Sequence, residues 1–373
     1  MDRLDLFIST GELSGDLLAN LVVQYLPKNL SIGGIIGPEL RAAGAQEYFP
    51  MELFQVHGFL SLIKSIPRIG LKYLSIKKKI LELNPKVVLF VDNIEFSRLM
   101  AKSLRRAGYK GKIVQLVCPS AWAWRSGRIK SLIKYFDLGL SLFPFEAEYY
   151  AKTAFPVKFI GHPLVQELSD QAEKKTDRYP LFGLFPGSRR HEIELNFPIQ
   201  LRTAKRISDR YAIGVSVASP AFEKRILELA AKEGISIKLF SGIDRYSLMK
   251  RADIALAKCG TTVLELGLLG TPTVVMYKMG KFDLKIVKWL KIFLPHYSLP
   301  NLLLNDRIFP EYVGPFACED LIFHEIENLA SNPRRKNEMQ LISKKLIDLY
   351  EGKNAGKEAA SLIQNLIFNL PIN

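Results

Sequence analysis

Residues 4–16 read Leu-Asp-Leu-Phe-Ile-Ser-Thr-Gly-Glu-Leu-Ser-Gly-Asp, and residues 181–193 read Leu-Phe-Gly-Leu-Phe-Pro-Gly-Ser-Arg-Arg-His-Glu-Ile. Both stretches pass from a short apolar run through a glycine-bearing turn into the start of a helical pattern. That order is the opening of a βαβ unit, and such unbroken apolar runs suit strands buried on both faces of a parallel sheet. Around the first stretch, Leu4–Ile8, Ser31–Ile36, Val87–Val91, Lys112–Val117 and Asp137–Leu142 read as strands, with helices at Gly15–Leu26 and Phe96–Ala107. Around the second, Leu181–Phe185, Ala212–Val217, Ser236–Phe240, Asp253–Ala257 and Thr273–Tyr277 read as strands, with helices at Glu192–Arg210 and Phe222–Glu233. The charged, turn-rich stretch Gln166–Pro180 is the expected linker, and from Asp320 onward the chain reads as helical. The fold class expected is therefore α/β: two doubly wound, Rossmann-like domains in tandem, with ligands at the carboxyl ends of the strands.

The length of 373 residues fits two domains, and a composition of 48% hydrophobic and 24% charged residues excludes wholesale disorder. Fifty-two Lys and Arg against 37 Asp and Glu leave a net charge of +15, which calls for an anionic partner. Cys118, Cys259 and Cys318 stand far apart, so neither a disulfide framework nor a zinc site is expected. The opening Met1-Asp-Arg-Leu gives no expectation of a secretory signal, and no window of about 18 apolar residues occurs. Gly260–Tyr277 is the most apolar candidate, but its Glu265, glycines and Pro272 suit a buried helix–turn–strand. A soluble or membrane-peripheral protein is expected, cytoplasmic by its cysteine usage.

Several chemistries are excluded. No GxG occurs, so the dinucleotide fingerprint is missing; GxxxxGK[ST] and GxSxG are missing too. His191-Glu192 lacks the second histidine of HExxH, and no DxD is present to hold a divalent cation with a nucleotide. The expectation is an enzyme without a metal or other cofactor. No helix, finger or RNA-binding signature supports nucleic acid as partner.

Three strand-to-helix turns carry the candidate chemistry. Thr10–Asp16 places Gly11, Glu12, Ser14 and Gly15 after the first strand; a turn capped by Ser14 or Asp16 explains the same residues. Pro186–Ile193 offers the Gly187 and Ser188 amides and a forked Arg189 to an anion, against an N-cap made by Ser188 with Glu192. A basic residue in this turn opposes the helix dipole, which favours the anion site. Lys258–Glu265 places Gly260, Thr261 and Thr262 for a phosphate and Glu265 for the hydroxyls of a ribose, or for the dipole alone. Asp92 closes the strand Val87–Val91, with Glu95 following; one of them suits a general base, and a helix cap at Asp92 suits the residue as well. Lys64, Arg68 and Lys72 share a helical face opposite Phe59, Ile63, Ile66 and Leu74, with Pro67 expected to kink or divide the helix. Lys281, Lys285, Lys288 and Lys291 interleave with Phe282, Trp289 and Phe293. Such stretches read as membrane-surface elements, and equally as packed helices with a solvated basic face.

Ile8–Ala19, Gly33–Leu40, Pro119-Ser-Ala-Trp-Ala-Trp-Arg125, Phe143-Pro-Phe-Glu146, Gly161-His-Pro163, Pro186-Gly-Ser-Arg189, Gly260–Glu265 and Ser298-Leu-Pro-Asn301 together resemble the lipid-A-disaccharide synthases, in family order from residue 8 to about 315. The resemblance implies a GT-B glycosyltransferase, with two Rossmann-like domains facing a cleft and a metal-independent, inverting reaction. It would join UDP-2,3-diacylglucosamine to lipid X, on the cytoplasmic face of a Gram-negative inner membrane. It also implies domains at 1–165 and 180–345, with 346–373 packing back on the first. Asp92 resembles the family's strand-end base and Arg189 its essential arginine. Gly260, Thr261, Glu265 and Asn301 would complete the nucleotide site; Glu12, Trp124, Arg125 and Arg128 would shape the acceptor side. Leu13, Cys259, Asn93-Ile94-Glu95 and Gly314 depart from the family's usual residues. The same frame suits another UDP-sugar:lipid transferase of this fold, or a non-enzymatic nucleotide- or anionic-lipid-binding protein.

Overall fold

The structure, a computed structural model, describes residues 3–54, 59–122, 127–168, 180–280 and 294–371; over 53–54 and 59–69 it describes the backbone alone. The chain divides into two compact units, Met1–Pro163 with Gly352–Asn373, and Leu164–Glu351.

The first unit runs β1 (Leu6–Ser9), α1 (Leu13–Val23), β2 (Ile32–Ile36), α2 (Pro38–Ala42), β3 (Gln46–Pro50), α3 (Phe59–Leu83), β4 (Val87–Val91), α4 (Ile94–Arg106), β5 (Lys112–Leu116), α5 (Gly127–Tyr135), β6 (Leu138–Ser141), α6 (Pro144–Ala151) and β7 (Val157–Phe159). Its seven strands lie in the order β3-β2-β1-β4-β5-β6-β7, paired in parallel. After α7 (Pro163–Leu168), the second unit runs β8 (Leu181–Phe185), α8 (Arg190–Lys205), β9 (Ala212–Val217), α9 (Glu223–Glu233), β10 (Lys238–Ser241), α10 (Asp244–Arg251), β11 (Ile254–Lys258), α11 (Thr261–Leu268) and β12 (Thr273–Tyr277). It continues through α12 (Leu299–Leu304), β13 (Glu311–Val313), α13 (Glu319–Ser331) and α14 (Pro333–Asp348); α15 (Ala355–Ile367) belongs to the first unit. The second sheet is wound alike, β10-β9-β8-β11-β12-β13, again parallel. In each sheet the order reverses beside the unit's first strand, between β1 and β4 and between β8 and β11. Crevices open at the carboxyl ends of strands at such switch points.

The central strands are buried along their whole length, as in β4 and β8, which is why they are unbroken apolar runs. β3, β7 and β13, which the sequence pattern did not predict, are partly exposed edge strands of mixed composition. α15 lays Ala359, Ala360, Ile363 and Ile367 into the core cluster that holds Leu18 and Val22 of α1. The two helices approach so closely that a Cβ on Gly356 would lie 2.6 Å from the Leu21 carbonyl oxygen. Each fully buried Ile or Leu in this contact contributes roughly 1.5–3 kcal/mol, so the last helix is an integral part of the first unit. α3 runs through Pro67 without dividing; a proline removes one helical hydrogen bond, and the bonds on either side carry the helix past it.

Candidate active site

At the switch point of the second unit, a cavity of ≈ 300 Å³ is lined by the turn Pro186–Arg189 after β8, by Ser216 and Ala218 at the end of β9, by Arg245 of α10 and by Lys258, Gly260, Thr261 and Thr262 at the junction of β11 and α11. Gly187 has φ +113°, and a Cβ there would lie 2.6 Å from Glu192 Oε2, so both the turn and the neighbour require glycine. Glu192, in the first turn of α8, is 4% exposed. It accepts from the Ser188 N–H at 3.2 Å and from Lys258 Nζ at 2.8 Å. Burial opposes its ionisation, but the Lys258 hydrogen bond and charge, with the Ser188 N–H, hold it below the usual carboxylate range. The N-cap position is Arg189, which makes no side-chain cap, and the Ser188 hydroxyl does not cap the helix either. Arg189 is 68% exposed, 3.6 Å from Glu192. α11 likewise begins at Gly260 without a side-chain cap. Two uncapped helix N-termini and an exposed arginine therefore meet one cavity whose other charges are already matched, an arrangement suited to phosphate oxygens.

Two expected nucleotide ligands are placed otherwise. Glu265 is 4% exposed and is not on the cavity wall; its Oε1 accepts from Arg245 at 3.0 Å and Tyr246 at 3.3 Å. Burial raises its pKa, and Arg245 offsets part of that rise. The carboxylate holds Arg245, and it is Arg245 that lines the cavity. Asn301 is wholly buried: its Nδ2 donates to Phe309 O and Glu311, and its Oδ1 accepts from the Ile308 and Phe309 N–H groups. With these bonds filled, it ties α12 to β13 rather than facing the cavity. Arg245 and Lys258 escaped the sequence reading, although each carried a signal: Arg245 is basic in a helix's first turn, and Lys258 is a charge closing an apolar strand. Cys259 donates to the Tyr297 carbonyl at 3.2 Å, and burial pushes its thiol up to about 12, so it is a neutral packing group.

At the first unit's switch point the recess is far smaller, ≈ 10 Å³, between Ser9, Thr10 and Gly11 at the end of β1 and Val91, Asn93 and Ser97 at the junction of β4 and α4. Asp92 is exposed, and its carboxylate has no partner among the described residues. It is not the helix cap; that is Asn93, whose side chain accepts from the Phe96 N–H. Glu95 is bonded by Arg128 and, at 3.2 Å, by Arg98. Burial alone would raise its pKa, but the two arginines lower it, so Glu95 is a poor base beside Asp92. Arg128, expected at the acceptor, has its side chain only 12% exposed and is turned to Glu95. Glu12 and Ser14 are exposed at the start of α1, and Glu12 makes no cap. Asp16, wholly buried, caps the neighbouring α2 instead, accepting from the Gly37 and Glu39 N–H groups at 3.0 and 2.7 Å. Trp124, Arg125, Lys281 and Lys285 lie outside the described residues, as do the side chains of Lys64 and Arg68; Lys72 is half-buried.

Three of the remaining motifs meet in one buried cluster of the first unit. Trp122 Nε1 donates to Glu146 at 3.2 Å, Ser141 donates to its other oxygen at 2.8 Å, and Phe143 packs on His162 with ring centroids 5.3 Å apart. Burial raises Glu146 to about 7 and lowers His162 to about 4. The Pro-Ser-Ala-Trp loop is thus pinned by the Phe-Pro-Phe-Glu segment. Among the described residues no three His, Cys, Asp or Glu side chains gather as a metal site, and no helix is long and apolar enough to cross a membrane.

The family model described as LpxB: Lipid-A-disaccharide synthetase matches residues 6–365. The chain is 37% identical over 358 residues to the lipid-A-disaccharide synthase of Chlamydia felis, covering 92% of this chain and 57% of that relative. For Chlamydia trachomatis serovar D the figures are 36% over 378 residues, 97% and 62%. For Geobacter sulfurreducens they are 32% over 343 residues, 88% and 88%. The chain thus spans less than two thirds of the chlamydial relatives' own length. Among solved structures it is similar to the UDP-GlcNAc 2-epimerase of Neisseria meningitidis, with TM-score 0.63 and 11% identity over 99% of this chain and 100% of that one. Acinetobacter baumannii MurG gives TM-score 0.57 and 12% identity, over 98% and 100%. These likenesses show the fold alone, and with the two parallel sheets they make it GT-B. By the extent of the family match and the identity to its members, the chain belongs to the lipid-A-disaccharide synthase family.

Proposed function

We propose that this protein is a glycosyltransferase that condenses UDP-2,3-diacylglucosamine with lipid X, giving a β(1→6)-linked disaccharide 1-phosphate and UDP. The observation that carries the proposal is the second unit's cavity, where two uncapped helix N-termini and Arg189 converge on a space suited to a diphosphate. The Gly187, Gly260 and Thr261 backbone and the Ser188 and Thr261 hydroxyls would hold the phosphates, and Arg189 would stabilise the charge that grows on the departing UDP. Asp92, exposed and without a carboxylate partner among the described residues, is assigned as the base. It takes the proton from the acceptor's hydroxyl while that oxygen attacks the anomeric carbon and the bond to UDP breaks, with inversion at that carbon. The charge on the leaving group is met by protein donors, so no metal is assigned to the step.

The membrane reading rests on the net charge of +15 and on α3. Its second half buries Ile76 and Ile80 while Leu71 and Leu74 stay 67% and 57% exposed beside Lys72 and Lys78. Basic residues flanking exposed leucines suit an anionic lipid surface, which both substrates would occupy. We assign the protein to the cytoplasmic face of the inner membrane, held peripherally. The test is UDP release from the diacyl donor with and without lipid X, in mixed micelles containing EDTA. Acceptor-dependent release that persists in EDTA is the expected result; release that ignores the acceptor, or none at all beside tight UDP binding, contradicts the proposal.

A further inference from the structure

Neighbouring strands of the first unit end in backbone conformations that most residues avoid. Asp92 and Asn93, after β4, have φ of 55° and 32°, and Val117, after β5, has φ of 67°. Left-handed geometry at a β-branched residue is strained, and such strain persists only where the surroundings over-determine it. What lies between these ends is Gln115, a wholly buried amide between the buried Val114 and Leu116 of β5. Its Nε2 donates to Asp92 O at 2.9 Å, to Leu116 O at 3.1 Å and to Val117 O at 3.3 Å. Because every partner of that nitrogen is a carbonyl, the amide has one acceptable orientation; reversing it would set oxygen against oxygen. Gln115 Oε1 is buried with no hydrogen-bond partner among the described residues. An apolar side chain at this position would avoid that penalty, so a function of the Nε2 end is the reason to look for.

The same carbonyl of Asp92 accepts from Ser97 Oγ at 3.3 Å, and the Asp92 N–H donates to Leu116 O at 3.0 Å. The main chain of Asp92 is thus fixed at both its polar groups while its carboxylate remains exposed. The geometry points to Gln115 as a positioning residue for Asp92, holding the left-handed turn that presents the carboxylate to the acceptor hydroxyl. This inference rests on the assignment of Asp92 as the base. A base must lie within hydrogen-bond reach of its proton, and a displacement of about 1 Å can cost on the order of 100-fold in rate.

The test is a double-mutant cycle on the full chain with Gln115→Met, Asp92→Ala and the pair, following kcat, donor KM and UDP affinity. Gln115→Met keeps the side chain's length and removes its donor. It is expected to lower kcat by roughly 10- to 100-fold, leaving donor KM and UDP binding unchanged, and to cause no further loss in the Asp92→Ala protein. Unchanged kcat, or the same fold-loss in both backgrounds, overturns the inference. If Asp92→Ala alone turns over at the wild-type rate, the base assignment itself has failed, which the cycle shows separately. Should Gln115→Met not fold by circular dichroism, Ser97→Ala removes the weaker donor to the same carbonyl. A roughly 2- to 5-fold loss of kcat, present only with Asp92 intact, supports the inference, and no loss overturns it.

Discussion

The two strand-to-helix turns with which each sheet begins, Thr10–Asp16 and Pro186–Glu192, occupy the same place in the same winding, yet are built for different work. In the second, Gly187 is forced by its positive φ and by Glu192, the carboxylate is buried against Lys258, and a ≈ 300 Å³ space is kept open. In the first, a Cβ on Gly11 would meet only Asn93 Nδ2 at an ordinary 3.5 Å, and the recess measures ≈ 10 Å³. There the carboxylates of Glu12 and Asp92 are exposed. Shared topology fixes where a site forms; the side chains that close the strands decide how much space it keeps and which charges it presents.

The largest effect should separate the two switch points by kind. Asp92→Ala is expected to lower turnover by about 10²–10⁴-fold with UDP affinity intact, whereas Arg189→Ala should weaken UDP binding itself; calorimetry beside steady-state rates distinguishes them. Next, Lys258→Met leaves Glu192 charged and buried without its main partner, a change worth about 3–5 kcal/mol of stability in chemical denaturation, together with lost UDP binding. A loss below about 1 kcal/mol would mean that the pair is not what shapes the second turn. The glycines give the sharpest contrast. Gly187→Ala should cost roughly 1–3 kcal/mol and abolish UDP binding, while Gly11→Ala, with an ordinary contact and no positive φ, should cost less than about 1 kcal/mol. Equal penalties would break the comparison.

How far these differences were legible depended on how local their causes are. Central strands such as Val87–Val91 announce themselves because burial on both faces demands an apolar run, whereas β3, β7 and β13 at or near the edges need no such run and carry no such mark. Gly187 and Arg189 were readable from the turn alone. Glu265 and Asn301 were not, because their partners lie elsewhere in the chain: Arg245 is 20 residues from Glu265, and Glu311 is 10 from Asn301. Gln115 left a trace as a lone amide following the apolar Ile113 and Val114, but its contact with the Asp92 carbonyl exists only once β4 and β5 are paired.

A smaller effect sits in the first unit's buried cluster of Trp122, Glu146 and His162. Glu146 rises from 4.5 to about 7, so the fold binds more protons than the unfolded chain between those values and its stability falls as pH rises. His162 drops from 6.5 to about 4, so between those values the unfolded chain binds more protons and stability rises with pH. The slopes oppose each other from about 4.5 to 6.5, each bounded by about 1.4 kcal/mol per pH unit. Glu146→Gln should therefore unmask the histidine, making the unfolding midpoint climb more steeply with pH over that window; parallel wild-type and variant curves would contradict it. The smallest effect is at α3, where Leu71→Ser with Leu74→Ser should weaken binding to anionic vesicles several-fold and leave UDP affinity alone. Unchanged partitioning would remove α3 from the membrane surface.

The proposed division of labour between the two switch points is tested most directly by UDP affinity and lipid X-dependent UDP release measured side by side in wild-type and Asp92→Ala protein. The account predicts equal UDP affinity in both and acceptor-dependent release that falls by at least about 100-fold in the variant. Wild-type release in Asp92→Ala, or a loss of UDP affinity that tracks the loss of rate, would contradict it.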